Sequence, residues 1–184
     1  VLDIGCGTGE FSRLLAKRFE TVVAIDLSPN MIEVAKQRSQ QFSNIDFQVV
    51  DVLQWQAPAE QFDMIVSIAT LHHLPVENLL PNLKAALKPG GRIIILDLLE
   101  YENMLDKLSD FIAVPLNWLF HTLKSRHVQK SPLAAAALRE HLRTDKYLTF
   151  SQARRIYTSL LKRAKVRKHL FWRYSVVWEK PSAA

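Results

Sequence analysis

Cysteine is all but absent from this chain, with Cys6 the single thiol among 184 residues. One thiol excludes an intramolecular disulfide framework and any cysteine-built metal site. Long apolar runs are missing as well. No stretch approaches the roughly 18 apolar residues of a membrane-spanning helix, and no signal-peptide pattern opens the sequence. The cytoplasm is therefore the expected location. Internal repeats and low-complexity linkers are absent, which excludes solenoids and tethered modules. Glycine is scarce: there are five, and all five fall in two short motifs.

What remains describes one ordinary folded domain. The chain is 48% hydrophobic and 23% charged, enough for a sizeable core but too short for two domains. Its net charge of +6 is unevenly spread. Residues 1–121 carry 9 Lys and Arg against 15 Asp and Glu, whereas residues 122–184 carry 15 against 3. Such a basic region meets an acidic substrate, a nucleic acid or an anionic membrane surface, or is simply a solvated face. Val1 already lies inside an apolar strand with no Met before it. The sequence is accordingly expected to lack an N-terminal segment of its domain.

Over the first hundred residues, short β-rich runs alternate with helical patterns, which predicts a parallel sheet covered on both faces. Strands are expected at Val1–Ile4, Thr21–Asp26, Ile45–Val50, Phe62–Ile68 and Arg92–Leu98. Most are near-continuous apolar runs, as buried parallel strands should be. The more mixed Ile45–Val50 suits a sheet edge. Helical spacing marks Glu10–Phe19, Pro29–Gln40 and Val76–Leu87, and Ser28-Pro29 reads as an N-cap followed by a first-turn proline. Residues 103–148 break the alternation with further helical patterns, one of them at Pro132–Leu142, and Thr149–Lys162 predicts another helix. Two strand-like runs close the chain, Val166–Phe171 and Tyr174–Glu179, linked too tightly to be parallel.

The glycines carry the chemistry. Gly5, Gly7 and Gly9 stand in Val1-Leu-Asp-Ile-Gly-Cys-Gly-Thr-Gly9, after the first strand and before a helix. Gly90 and Gly91 precede the fifth strand. A strand–glycine turn–helix unit presents free N–H groups at the carboxyl edge of a parallel sheet, where ligands bind. The spacing is G-x-G-x-G, and Glu10 occupies the place of the last glycine of the dinucleotide fingerprint. This argues against a nicotinamide cofactor. Asp26, at the end of the second strand, is placed to accept from both hydroxyls of a ribose. Asp51 ends the third strand, where a carboxylate accepts from an adenine amine.

Together these features resemble the class I S-adenosylmethionine-dependent methyltransferases, in particular those acting on small molecules. The likeness covers Val1 to about Leu98, with a weaker match in the final hairpin, and the C-terminal stretch resembles a bacterial subgroup of these enzymes. The resemblance implies a doubly wound α/β fold of seven strands, order 3-2-1-4-5-7-6, with strand seven antiparallel. It implies S-adenosyl-L-methionine as cofactor. The loop Asp3, Gly5, Cys6, Gly7, Thr8 and Gly9 would wrap its methionine part, and Asp26 its ribose. Leu27 and Met31 would flank the adenine, Asp51 and Val52 would read its edge, and Ser67 to Leu71, including Ala69, would line the methionine side.

Methyl transfer is an in-line displacement in which the protein mainly positions two reactants. A hydroxyl or ammonium acceptor also needs a base. His72 and His73 follow strand four at the expected edge, and either is a candidate. His141 with Asp145, spaced i,i+4, makes an oriented base or a helix-surface ion pair. Tyr101 is a further candidate. Trp118 and Phe120 line a pocket or belong to plain core. Residues 103–148 are expected to form a helical cap over a small, hydrophobic acceptor, or else to pack on the sheet. Pyrimidine C5 chemistry is excluded, because Cys6 lies in the cofactor loop. Ser67-Ile-Ala-Thr70 stands where nucleic-acid amino methylases carry Asn/Asp-Pro-Pro-aromatic. No metal is expected, Asp97 and Glu100 being too few ligands. The alternatives are an RNA or protein methyltransferase using the basic region, and a cofactor-binding domain without catalysis. The oligomeric state is open.

Overall fold

The strands of the computed structural model run β1 (Leu2–Ile4), β2 (Val22–Asp26), β3 (Ile45–Val49), β4 (Phe62–Ile68), β5 (Leu87–Leu98), β6 (Lys165–His169) and β7 (Arg173–Glu179). Among the described residues the helices are α1 (Glu10–Ala16), α2 (Pro29–Arg38), α3 (Val76–Ala86) and α4 (Phe150–Leu160). The structure describes residues 1–102, 147–170 and 172–182. His141, Asp145, Trp118, Phe120 and the expected helix at Pro132–Leu142 lie outside the described residues.

All seven strands form one sheet in the order β3-β2-β1-β4-β5-β7-β6. The first five are parallel, and β7 is antiparallel to both neighbours. Strand polarity therefore brings the ends of β1, β2, β4 and β5 to one edge of the sheet. The mixed third strand is indeed an edge strand, as its composition predicts.

Side chains alternate between two cores because successive strand residues face opposite ways. Leu2, Ile4, Ile25, Ile65, Ile93 and Ile95 pack with α3 and α4 through Leu79, Leu83, Ala153 and Tyr157. On the other face Val22, Ala24, Phe47 and Val66 meet Leu15 of α1 and Ile32 and Ala35 of α2. The caps follow local chemistry. Ser28 Oγ accepts from Met31 N with Pro29 in the first turn of α2. Thr149 and Gln152 form a reciprocal capping box on α4.

Two boundaries differ from expectation by three residues or more. The first helix stops at Ala16 rather than Phe19, closing with Phe19 N on the Leu15 carbonyl. The fifth strand begins at Leu87 rather than Arg92, because the Gly-Gly turn is itself paired. Gly90 N donates to the Lys180 carbonyl, and Lys180 N to that of Gly91. No helix among the described residues is long and apolar enough to cross a membrane.

Candidate functional site

The glycine loop is pulled across the end of β2, since Gly5 N and Cys6 N both donate to the Ile25 carbonyl, at 2.9 and 3.0 Å. Asp26 then locks it. Gly7 N donates to its Oδ2 at 2.8 Å and Ser28 N to its Oδ1 at 2.9 Å. Each carboxylate oxygen has two lone pairs, so Asp26 retains acceptor capacity toward a ligand. All three loop glycines are left-handed, with φ of 72°, 52° and 73°, but they serve different ends. A Cβ on Gly5 would lie 2.1 Å from Thr70 Oγ1, and one on Gly9 would lie 2.8 Å from the Phe47 ring. A Cβ on Gly7 would meet nothing within 4 Å. Gly5 and Gly9 admit protein neighbours, and Gly7 keeps space open.

That space is a cavity of about 460 Å³ at the carboxyl edge. Gly5, Gly7, Asp26 and Leu27 line one side, Met31, Asp51 and Val52 another, and Ala69, Thr70 and His73 come from the loop after β4. Leu27 is 68% and Met31 44% exposed, two apolar side chains at the mouth with nothing to bury them among the described residues. Asp51 is held by Leu53 N at 3.0 Å and Gln54 Nε2 at 2.9 Å. A second cavity of about 390 Å³ lies on the other side of the loop, lined by Asp3, Gly5, Cys6, Thr8 and Glu10. Gly5 and Ile68 border both, so the two form adjoining lobes.

Electrostatics distinguish the lobes. Asp3 is buried and accepts from Ser12 Oγ at 2.6 Å. Burial pushes its carboxyl up to about 6, and the nearby Asp26 charge adds to the rise. Burial, followed by the charges of Asp3 and Asp26, pushes the Cys6 thiol up to about 12. It stays protonated near neutral pH and is no nucleophile.

Beyond β4 the chain turns through Ala69, at φ 52°, into a short helical turn, Leu71–His73. His73 borders the larger cavity. His72 points to β5, its side chain 3% exposed, with Nδ1 2.6 Å from Asp97 Oδ1. Asp97 also accepts from His72 N at 2.8 Å and Leu98 N at 2.9 Å, and its side chain is fully buried. A carboxylate on Nδ1 favours the tautomer whose lone pair is on Nε2. The His72 ring packs on His73 and Tyr147, centroids 3.8 and 4.8 Å away.

Comparison with known proteins matches this geometry. Residues 1–91 fit a family model described as a methyltransferase domain. Over 95 residues the chain is 39% identical to the ubiquinone biosynthesis O-methyltransferase of Coxiella burnetii, covering 50% of this chain and 41% of that one. Over 101 residues it is 41% identical to the malonyl-[acyl-carrier protein] O-methyltransferase of a Paenibacillus species, covering 51% and 37%. Residues 1–91 belong to the methyltransferase-domain family. The chain spans about two fifths of the length of these relatives. The fold is shared with a SAM dependent methyltransferase from Aquifex aeolicus, with a TM-score of 0.66 at 18% identity over 97% of this chain and 80% of that one.

Within this methyltransferase fold, the expected site residues divide. Gly5, Gly7, Asp26, Leu27, Met31, Asp51, Val52 and Ala69 meet at the larger lobe, and Asp3, Cys6 and Thr8 at the smaller. Gly9 and Ser67 border neither lobe. Gly9 packs beneath Phe47 and Ala35, and Ser67 Oγ ties β4 to the Ile4 carbonyl at 3.1 Å. Thr70, over Gly5, falls within the segment Ser67 to Leu71 that was expected to line the site. The pairing of Asp97 with His72 escaped sequence reasoning. Asp97 did have a signal: strands four and five are neighbours in the expected order, which puts an acid ending one beside histidines ending the other. Among the described residues no group of three His, Cys, Asp or Glu is arranged to hold a metal ion.

Proposed function

We propose that this chain catalyses methyl transfer from S-adenosyl-L-methionine to a small, hydrophobic organic acceptor in the cytoplasm. The observation that carries the reading is the pair of adjoining lobes joined at Gly5, one with a ribose acceptor in Asp26 and the other with a buried acid in Asp3. A nucleoside joined to a cationic amino acid matches that division. The open face of Gly7 leaves room for it. When bound, the cofactor supplies an electrophilic methyl carbon on a sulfonium. Asp26 holds the ribose, Leu27 and Met31 sandwich the adenine, Asp51 accepts from its amine, and Asp3 compensates the ammonium.

His72 is the base we assign for a hydroxyl acceptor, with Asp97 fixing its tautomer and stabilising the imidazolium. His73 instead borders the larger lobe. The oxygen chemistry in both relatives' names supports a hydroxyl or carboxyl acceptor. The segment 103–146 leaves after Glu102 and returns at Tyr147, where Leu148 bridges to Leu99 and Glu100 N donates to the Leu148 carbonyl. Both its ends thus attach beside the site, which supports a capping role over the acceptor.

Calorimetry with S-adenosylmethionine, S-adenosylhomocysteine and NAD, followed by transfer of a labelled methyl group to a panel of phenolic and carboxylic acceptors, tests the proposal. Asp26→Ala should weaken binding at least tenfold, since buried hydroxyls lose their acceptor. Asp97→Asn should leave affinity unchanged but lower turnover and alter its pH profile. Tight NAD binding with silence toward the other two would sink the reading.

A further inference from the structure

Residues 147–182 hold nine Lys and Arg and a single acid, Glu179. The cations at one end of the closing strands are neutralised, Arg92 by Glu179 and Lys180 by Glu60. At the other end Arg167 and Arg173 are exposed around the turn from β6 to β7, and neither has an ion pair among the described residues.

That turn has unusual chemistry. Hairpin turns normally use Gly, Asn, Asp or Pro, which tolerate positive φ or preset the bend. This one reads Leu170-Phe171-Trp172 in sequence, and Trp172 sits at φ 57°. A bulky residue is a poor occupant of the left-handed region. Leu170 is 61% exposed, and Tyr101, leaving β5 at the same edge, is 40% exposed. Arg173 is in register with Leu98, and Leu99 N donates to the Trp172 carbonyl at 2.7 Å. The tip therefore stands at the carboxyl edge of the sheet, roughly 10 Å from β4 at two interstrand spacings. Both cavities open on that edge.

We infer that the β6–β7 hairpin tip docks the protein on an anionic lipid surface, turning the edge that carries the site toward the membrane. Lipid phosphates satisfy Arg167 and Arg173, Leu170 enters the acyl boundary, and Tyr and Trp suit the interface between them. Other occupants fit less well. A second copy paired edge to edge along β6 would set Lys165, Arg167 and Lys168 against like charges. Nucleic acid would use the arginines but leave Leu170 in water. The inference goes beyond methyl transfer and does not depend on it.

The test is flotation of the full chain with vesicles of phosphatidylcholine alone and of phosphatidylcholine mixed with phosphatidylglycerol. Binding to the mixed vesicles only, weakening with salt, is expected. Leu170→Asp, at an exposed position, should lower partition at least tenfold, and the double variant Arg167→Glu/Arg173→Glu should do the same. Calorimetric cofactor affinity should be unchanged in all of them, which separates failure here from failure of the enzymatic reading. No partition of the wild-type chain overturns the inference. So does partition that Leu170→Asp leaves intact, or salt-sensitive binding of single-stranded RNA without vesicle binding.

Discussion

Asp3 keeps a charge where charge is costly. Its carboxyl rises from 3.8 to about 6 through burial, so the folded chain binds this proton more tightly than the unfolded one. The penalty is therefore absent below about pH 4, grows as pH rises toward 6, and reaches up to about 3 kcal/mol at neutral pH. A core built only for stability would not place an acid there. A cationic ligand in the adjoining lobe supplies the missing compensation. Asp3→Asn should consequently raise the thermal midpoint by a few degrees at pH 7.5 while weakening S-adenosylhomocysteine binding about tenfold. Wild-type affinity should rise as pH increases through 6, because only ionised Asp3 compensates the ammonium. Thermal denaturation and calorimetry at pH 5 and 7.5 check both halves. A variant that gains stability with undiminished affinity would remove Asp3 from the site.

The glycine loop shows how one element divides its labour. Gly5→Ala meets Thr70 at 2.1 Å and a positive φ together, and should cost about 3 kcal/mol of stability. Gly7→Ala meets only the positive φ, about 1 kcal/mol, but its methyl group enters the ligand space. Denaturant unfolding should then separate the two, and Thr70→Ala should rescue part of the first loss and none of the second. This division was invisible in the G-x-G-x-G spacing, which treats the three glycines alike. The strand order and polarity, by contrast, were legible, because near-continuous apolar runs and a link too short for a crossover admit few arrangements. Asp26 was legible for the same reason, being fixed by its place at a strand end. The His72–Asp97 pair spans 25 residues and depends on which way a three-residue turn rolls after Ala69. Local pattern cannot supply that rotation.

At the scale of the molecule, the chain is two charge regions sharing one sheet edge. The acidic first half supplies the lining of the two lobes, and the basic closing segment supplies the outer strands. Residues 103–146 connect them from the end of β5 to the start of α4, with both attachments beside the site. If they cap the acceptor, the cofactor lobes should survive without them, because Asp26, Asp51, Gly7 and Met31 all precede residue 100. Replacing 103–146 by a short Gly/Ser linker should therefore leave S-adenosylhomocysteine affinity within about threefold, a change of under 1 kcal/mol. Leu99 and Leu148 are already bridged, so a short loop suffices to close the gap. Transfer to hydrophobic acceptors should fall at least a hundredfold, and the backbone amides around His72 should exchange faster in an amide hydrogen-exchange measurement. Loss of cofactor binding in the same variant, with the sheet still folded by circular dichroism, would instead make the segment part of the cofactor site. Retained transfer would leave it outside the acceptor site altogether, and the hydrophobic preference would then have to come from the Leu27 and Met31 mouth alone.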